Sequence, residues 1–374
     1  MNKAYARIRL GLLICFGVIL SIGMLTEVCA EERRLIKVGD PFPEIPLKAL
    51  DYTKDLAYLG IPEDKSFTIK DIKADLVLVE ILNVYCASCW RQVPIYNKLY
   101  SRIESDPETK GRIKMVSVGV GNEDWEVKYF VEQFDVPFPV FPDPDFVMHE
   151  AIGGSPTPFS ILVKQDPAGK VGLVASTHLG VQYEQDEVFA EMRSLMNVDL
   201  ATLREKGKKS EAKVVYVKPV LTEEELQARI KGAFTNEGKD LTRFEKVKLP
   251  GGREVYTGLV QREGKETRLF ARIISRPPPC DVCHDVHFIY VFDKTGKVLE
   301  FDPLQLTKKG NRNFSKADVD KIRERVVGKY IFEPFVFDAK VDSVTYATIT
   351  CAVIFKGFNE GQTLFKELQQ QGLI

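Results

Sequence analysis

The stretch Leu76-Val-Leu-Val-Glu80-Ile-Leu-Asn-Val-Tyr-Cys86-Ala-Ser-Cys89-Trp-Arg-Gln-Val-Pro94 decides how the first half of this chain is read. Leu76 to Val84 is a nearly unbroken apolar run, short enough for a strand buried on both faces. Arg91 to Ile103 carries helical spacing, so the two cysteines fall where a buried strand hands over to a helix. A thiolate at a helix N-terminus is stabilised by unpaired backbone N–H groups and the helix dipole, which lowers its pKa. Cys86, nearer the exposed end, is therefore expected to attack, and Cys89, one turn inward, to resolve the mixed disulfide. An acid within so apolar a run needs a reason: burial should raise the pKa of Glu80 and suit it to accept and return the Cys89 proton. Pro94 would kink the helix without ending it.

Working outward, Ile36 to about Leu200 alternates short β-branched runs with helical stretches: strands at Ile113 to Val120 and Phe159 to Lys164, a helix at Glu123 to Gln133. That alternation implies a mainly parallel α/β sheet. The run Gly154-Ser-Pro156-Thr157-Pro158 places proline immediately before the last of these strands.

Together these residues resemble the thioredoxin superfamily, specifically its exported thiol-disulfide oxidoreductases of the ResA/TlpA kind and the wider redoxin group. The likeness runs from Ile36 to Val163 and includes Val38-Gly39-Asp40-Pro41-Phe42-Pro43 and Val136-Pro-Phe-Pro-Val-Phe-Pro-Asp143. It implies a thioredoxin-like domain that needs no cofactor, with Pro158 as a cis-proline beside the cysteines, Thr157 before it, and the substrate chain alongside; Pro156 is the competing choice. It also places Glu80 at the buried carboxylate of that family. Two positions depart from the pattern: Tyr85 stands where tryptophan is common, and Gln92 where ResA-like proteins carry a glutamate. The peroxidatic Pro-x-x-x-Thr-x-x-Cys pattern is missing, which argues against a peroxidase.

Beyond Leu200, Leu203 to Lys213 loses apolar periodicity and becomes basic, reading as a solvated linker. A helix is expected at Thr222 to Phe234, strands at Glu254 to Val260, Thr267 to Ile274, Phe288 to Phe292 and Lys297 to Phe301, a polar helix at Lys316 to Val327, and a strand-like then helical tail from Val341. Strands grouped with helices at the ends suggest a smaller α+β domain. The expected organisation is a signal over 1–30, a thioredoxin-like domain over 31–200, a linker over 201–218 and an α+β domain over 219–374.

The second domain carries Arg276-Pro-Pro-Pro-Cys280-Asp-Val-Cys283-His284-Asp-Val-His287. Cys280-x-x-Cys283-His284 matches the attachment pattern of c-type haem, although the strand-like residues after it are unlike the usual helical site. The same residues, with His287, are types that suit zinc, but no distant second ligand pair accompanies them. A further redox-active or structural dithiol is the third reading, as the internal partner of Cys86 and Cys89. The Pro277-Pro278-Pro279 run should hold the segment stiff and extended.

Tyr290-Val-Phe-Asp293-Lys-Thr-Gly296-Lys-Val298 and Val341-Asp342-Ser-Val-Thr345-Tyr346-Ala347-Thr348-Ile349-Thr350 also resemble the FMN-binding domains of sodium-pumping quinone reductases and Rnf complexes. That likeness implies flavin phosphate attached at Thr348, with Tyr346 standing in the glycine position. The alternative is an ordinary β-rich strand whose threonines reflect β-propensity.

The N-terminus points to export. Lys3, Arg7 and Arg9 precede an apolar run from Leu10 to Leu25 that ends at Val28-Cys29-Ala30, with cleavage expected after Ala30. Retention as a membrane anchor is the alternative, and a lipoprotein site at Cys29 is disfavoured by Val28 before it. With 374 residues, 52 basic and 53 acidic side chains, the chain is long enough for two domains and has no net field to attract nucleic acid. Of its seven cysteines, the five beyond the signal form two C-x-x-C pairs and the single Cys351. These features fit a periplasmic or otherwise extracytoplasmic thiol-disulfide oxidoreductase working on cysteine-containing exported proteins or a membrane thiol reductase. The alternative is an electron-transfer protein carrying haem c or FMN in its second domain.

Overall fold

The computed structural model describes residues 31–374 apart from 49–51, 63–65, 218–219, 278–279 and 281–282. The expected signal over 1–30 and two of the three prolines before Cys280 lie outside the described residues.

The first domain runs β1 (Glu31–Arg34), α1 (Tyr52–Leu59), β2 (Leu76–Leu82), α2 (Ala87–Ser105), β3 (Ile113–Val120), α3 (Asp124–Phe134), β4 (Val140–Asp143), α4 (Val147–Ala151), β5 (Phe159–Lys164), β6 (Leu173–Leu179) and α5 (Gln185–Met196). Its main sheet has the order β4-β3-β2-β5-β6. The sheet is mixed rather than mainly parallel: β2–β3 and β3–β4 are parallel, whereas β2–β5 and β5–β6 are antiparallel. The connection between β5 and β6, residues 165–172, is too short for a crossover and returns the chain as a hairpin. All seven positions of β2 and all eight of β3 are buried, because helices cover both faces of the centre. This is a thioredoxin-like α/β fold with the cysteine motif at the end of its central strand.

Residues 200–209 form a helix, α6 (Leu200–Lys209), where a solvated linker was expected, followed by β7 (Val214–Val217), which pairs antiparallel with β1. Asp199 caps the helix by accepting from the Thr202 backbone N–H at 2.8 Å. Lys37 closes its other end, donating to the carbonyls of Gly207 at 2.7 Å and Ser210 at 2.6 Å. Only Leu203 and Gly207 of this helix are buried, so its sequence looks solvated while its inner edge is packed. Gly207 meets Gly39 backbone to backbone: a Cβ on Gly39, whose φ is +87°, would lie 2.7 Å from the Gly207 Cα.

The second domain continues α7 (Glu223–Glu237), β8 (Lys239–Lys248), β9 (Glu254–Arg262), β10 (Lys265–Arg276), β11 (Val286–Asp293), β12 (Val298–Gln305), β13 (Thr307–Lys308), β14 (Arg312–Asn313), α8 (Lys316–Val326), α9 (Ala339–Asp342), α10 (Thr348–Asn359) and α11 (Gly361–Gln370). Strands β8 to β12 form one antiparallel meander, as their order β12-β11-β10-β9-β8 requires. Strand alternation sorts its two faces. Ile289 and Val291 turn toward α7, packing with Ile230 and Phe234. Phe288, Tyr290 and Phe292 turn toward the C-terminal helices, where Phe288 and Tyr290 pack against Phe358. The tail after Val341, expected to begin as a strand, is helical: buried Cys351, Ile354, Phe355 and Phe358 make α10 a core helix despite its β-branched residues. No described helix is long and apolar enough to cross a membrane.

Candidate active site

The loop between β2 and α2 is held by two asparagines that no local sequence pattern marks. Asn83 donates from Nδ2 to the Val120 carbonyl at 2.6 Å and accepts the Tyr85 N–H on Oδ1 at 2.9 Å. Its own carbonyl accepts the Cys86 N–H at 3.0 Å, while Asn122 Oδ1 accepts the Val84 N–H at 3.0 Å. With these backbone groups satisfied away from the sheet ladders, the chain turns directly from strand into helix and leaves Cys86 as the N-cap of α2. Trp90 reinforces the turn by donating from Nε1 to the Val84 carbonyl at 2.7 Å. The expected helix-interior proline, Pro94, lies inside α2.

Thr157–Pro158 is the cis peptide bond, which resolves the choice between Pro156 and Pro158 in favour of the latter. The Cys86 thiol donates to the Thr157 carbonyl at 3.5 Å, so the proline loop and the helix terminus meet at this sulfur. The hydrogen bond from Cys89 lowers the Cys86 pKa from 9.0 to about 7, with the backbone N–H groups of Cys89 and Ser88 acting in the same direction against burial. Burial drives Cys89 the opposite way, well above 9.0, and the negative charge of Cys86 and Glu80 adds to that. The two thiols of one motif are thereby shifted in opposite directions.

Glu80 sits at the centre of β2 with Ser117 opposite it on β3 and Ser160 opposite it on β5. Burial raises its pKa from 4.5 to about 7, although Ser117 donates to Oε2 at 2.7 Å and partly offsets the shift. Oε1 has no hydrogen-bond partner among the described residues, so one lone-pair site remains open for a proton. Beside it Tyr96 shares a hydrogen bond of 2.5 Å with Ser160 Oγ and donates to Gln182 Oε1 at 2.8 Å. Gln92 accepts the Gln182 N–H on Oε1 at 2.7 Å, so the residue that departs from the glutamate pattern serves as a buried backbone clamp. Ser117, Ser160, Tyr96 and Gln182 complete the site but are separated from Glu80 along the chain, and only strand pairing brings them to it.

The second cysteine pair is also brought here. Cys280 and Cys283 form a disulfide on the loop joining β10 to β11, and Cys280 makes an isolated parallel β-bridge with Thr157. Cys86, Cys89 and Cys280 belong to one buried apolar cluster, with Cys283 packed at its edge. His284 is exposed, and its backbone N–H donates to Asn311 Oδ1 at 3.1 Å. His287 is buried away from it, with Nδ1 against Ser275 Oγ at 2.9 Å. This placement does not fit haem attachment, since both sulfurs are bonded to each other and the segment lies against the first domain. Among the described residues these cysteines and histidines do not converge as a metal-binding group.

Thr348, the position implied for flavin, opens α10 instead of lying on a strand. Tyr346 before it has φ 65° and is exposed, so a bulky residue occupies the turn where backbone would have to approach a phosphate. The residues at Thr348 do not fit the attachment implied by the FMN-domain likeness.

No family model matches the chain. It is 31% identical over 109 residues to the thiol-disulfide oxidoreductase ResA of Bacillus thuringiensis subsp. konkukian, covering 29% of this chain and 59% of that protein. To the ResA of Bacillus subtilis it is 28% identical over 107 residues, covering 29% of this chain and 56% of that protein. The chain thus spans less than two thirds of the length of these curated relatives, and the likeness lies in its N-terminal third. Among solved structures, StoA from Bacillus subtilis aligns at 16% identity with a TM-score of 0.30, over 40% of this chain and 96% of that one. The likeness of the second domain to FMN-binding domains finds no support in these comparisons.

Proposed function

We propose that the chain is an extracytoplasmic thiol-disulfide oxidoreductase that exchanges disulfides through Cys86 and Cys89 with cysteine-bearing exported proteins or a membrane thiol reductase. The observation that carries this reading is the opposite displacement of the two thiols, Cys86 down to about 7 and Cys89 upward, beside a buried carboxyl poised near neutrality. The names of the curated relatives point the same way. Export rests on the basic and apolar N-terminus and on cysteines paired at short spacing.

In the reductive direction the Cys86 thiolate attacks a partner disulfide, forms a mixed disulfide and expels one partner thiolate. Cys89 then loses its proton to Glu80 Oε1 and attacks Cys86 Sγ, which expels the second partner thiolate and closes the Cys86–Cys89 disulfide. Oxidation of a partner runs the same steps in reverse. Thr157, before the cis-proline, supplies the backbone edge against which an extended partner is held. Replacing Cys86 by Ser in the full chain is expected to abolish disulfide reductase activity on an exported test protein; retained activity would sink the assignment. The alternative, an electron carrier with haem c or FMN, has no placement of Cys280, Cys283, His284 or Thr348 in its favour.

A further inference from the structure

The geometry points to Cys280–Cys283 as the resident disulfide partner of Cys86 and Cys89, an intramolecular relay that rests on the oxidoreductase reading above. Three placements carry it. Cys280 is bridged to Thr157, the same residue whose carbonyl meets Cys86 Sγ, so both sulfur-bearing residues converge on one backbone unit. Cys86 is only 2% exposed and Cys280 only 6%, and both lie in a single apolar cluster, whereas Cys283 is half-buried at its rim. The two pairs also stand in complementary states, with Cys86 and Cys89 as thiols and Cys280–Cys283 as a disulfide.

The loop that carries this disulfide is fixed at both ends. Strands β10 and β11 remain paired up to Arg276 opposite Val286. Buried Arg276 forms an ion pair with Glu360 where α10 meets α11. On the return side Gln305 donates from Nε2 to the Asp285 carbonyl at 3.0 Å. Docking of the two domains is reinforced by Lys356 of α10, which donates to the Asp145 carbonyl at 2.7 Å and lies 3.8 Å from Glu150. A disulfide held in this way meets the nucleophile without a search through solution.

The exchange balances within the chain. The Cys86 thiolate attacks Cys280 Sγ, the Cys280–Cys283 bond breaks, and Cys283 leaves as a thiolate that takes a proton from water. Cys89 then passes its proton to Glu80 and attacks Cys86 Sγ, and Cys280 leaves as the second thiolate and is protonated. Two electrons move from the Cys86/Cys89 dithiol to the Cys280–Cys283 disulfide, and the half-buried Cys283 becomes the thiol from which they are handed onward to a second disulfide-bearing partner.

The test uses the full chain with Cys89→Ser, which blocks resolution and should retain the first intermediate. After acid quench and alkylation, peptide mapping is expected to show Cys86 linked to Cys280, at least tenfold over any Cys86–Cys283 link, at a rate unchanged by tenfold dilution. Linkage mainly to Cys283, or a yield that falls with dilution, overturns the relay as drawn. Absence of the link in a variant whose Cys86 still reduces oxidised glutathione overturns the relay and leaves the oxidoreductase reading standing. If Cys86 reacts with neither, both fall. Should Cys89→Ser fail to fold, the wild-type chain quenched during reduction by one equivalent of dithiothreitol carries the same linked peptide transiently; its absence there overturns the relay.

Discussion

Cys86-Ala-Ser-Cys89 and Cys280-Asp-Val-Cys283 share their spacing and almost nothing else. The first sits at the N-terminus of a 19-residue helix, beside a buried carboxyl and a cis-proline. The second sits on a hairpin loop with no helix to receive a thiolate, and its sulfurs are joined. The contrast shows that a C-x-x-C spacing specifies a pair, while the backbone around it specifies what the pair does. On the readings proposed above, unsatisfied N–H groups favour a nucleophile at the first pair, and the β-bridge to Thr157 presents the second as its electrophile.

The strongest way to break this comparison is to exchange the roles. Cys86→Ser should lower reductase turnover by about 10³-fold or more, because no other described thiol combines a lowered pKa with a helix terminus. A steady-state assay checks this, and a loss below tenfold would mean the second pair works alone. Glu80→Gln should slow resolution of the mixed disulfide by about 10²-fold while leaving the first attack nearly unchanged. Stopped-flow kinetics that separate the two steps will show whether the carboxyl serves Cys89 specifically.

The pH dependence sharpens the same contrast. With its pKa near 7 and not 9.0, the pH profile of Cys86 alkylation in the reduced chain should have its midpoint near pH 7. A midpoint near 9 for Cys86 would erase the distinction between the motifs. Glu80 also predicts a stability effect. Its folded-state pKa of about 7 against 4.5 means the folded chain keeps a proton that the unfolded chain releases, so stability falls as pH rises through that window. At about 1.4 kcal/mol per unit the cost is about 3 kcal/mol above pH 7, and Glu80→Gln should recover it at pH 8 but not at pH 4. Denaturant titration at the two pH values checks this. Smallest of all, and remote from both motifs, Gly207→Ala should destabilise by about 1–3 kcal/mol through its backbone contact with Gly39, leaving Cys86 reactivity intact.

What could be read in the sequence followed from how local the signal was. Strand β2 and helix α2 were legible because full burial produces an unbroken apolar run and the cysteines mark its end. Glu80 was legible as a residue type out of place in its run, whereas Pro158 was implied by the family resemblance with Pro156 as the competing choice. Strand β8 was missed because register shifts accompany a spacing of three between its partly buried residues Leu241, Phe244 and Val247, which defeats a search for alternation. Helix α6 was missed because one leucine and one glycine are all it buries. The tail was misread because Val344, Thr345, Thr348 and Ile349 favour strands locally, while packing against the meander makes the helix. Asn83, Asn122 and Tyr96 act across long sequence separations, and so does the Thr157–Cys280 bridge; no local pattern announces them.

That bridge has a consequence for any partner arriving from outside. A segment attached to the same chain competes for the Thr157 edge at an effective concentration on the order of millimolar, whatever the dilution of the protein. A free polypeptide at micromolar concentration would be outcompeted by about a thousandfold unless the loop first lifts away. If Cys86 exchanges disulfides as proposed, docking of the β10–β11 loop acts as a filter on encounter: it turns away casual collisions and reserves the Cys86 sulfur for a partner able to displace that loop.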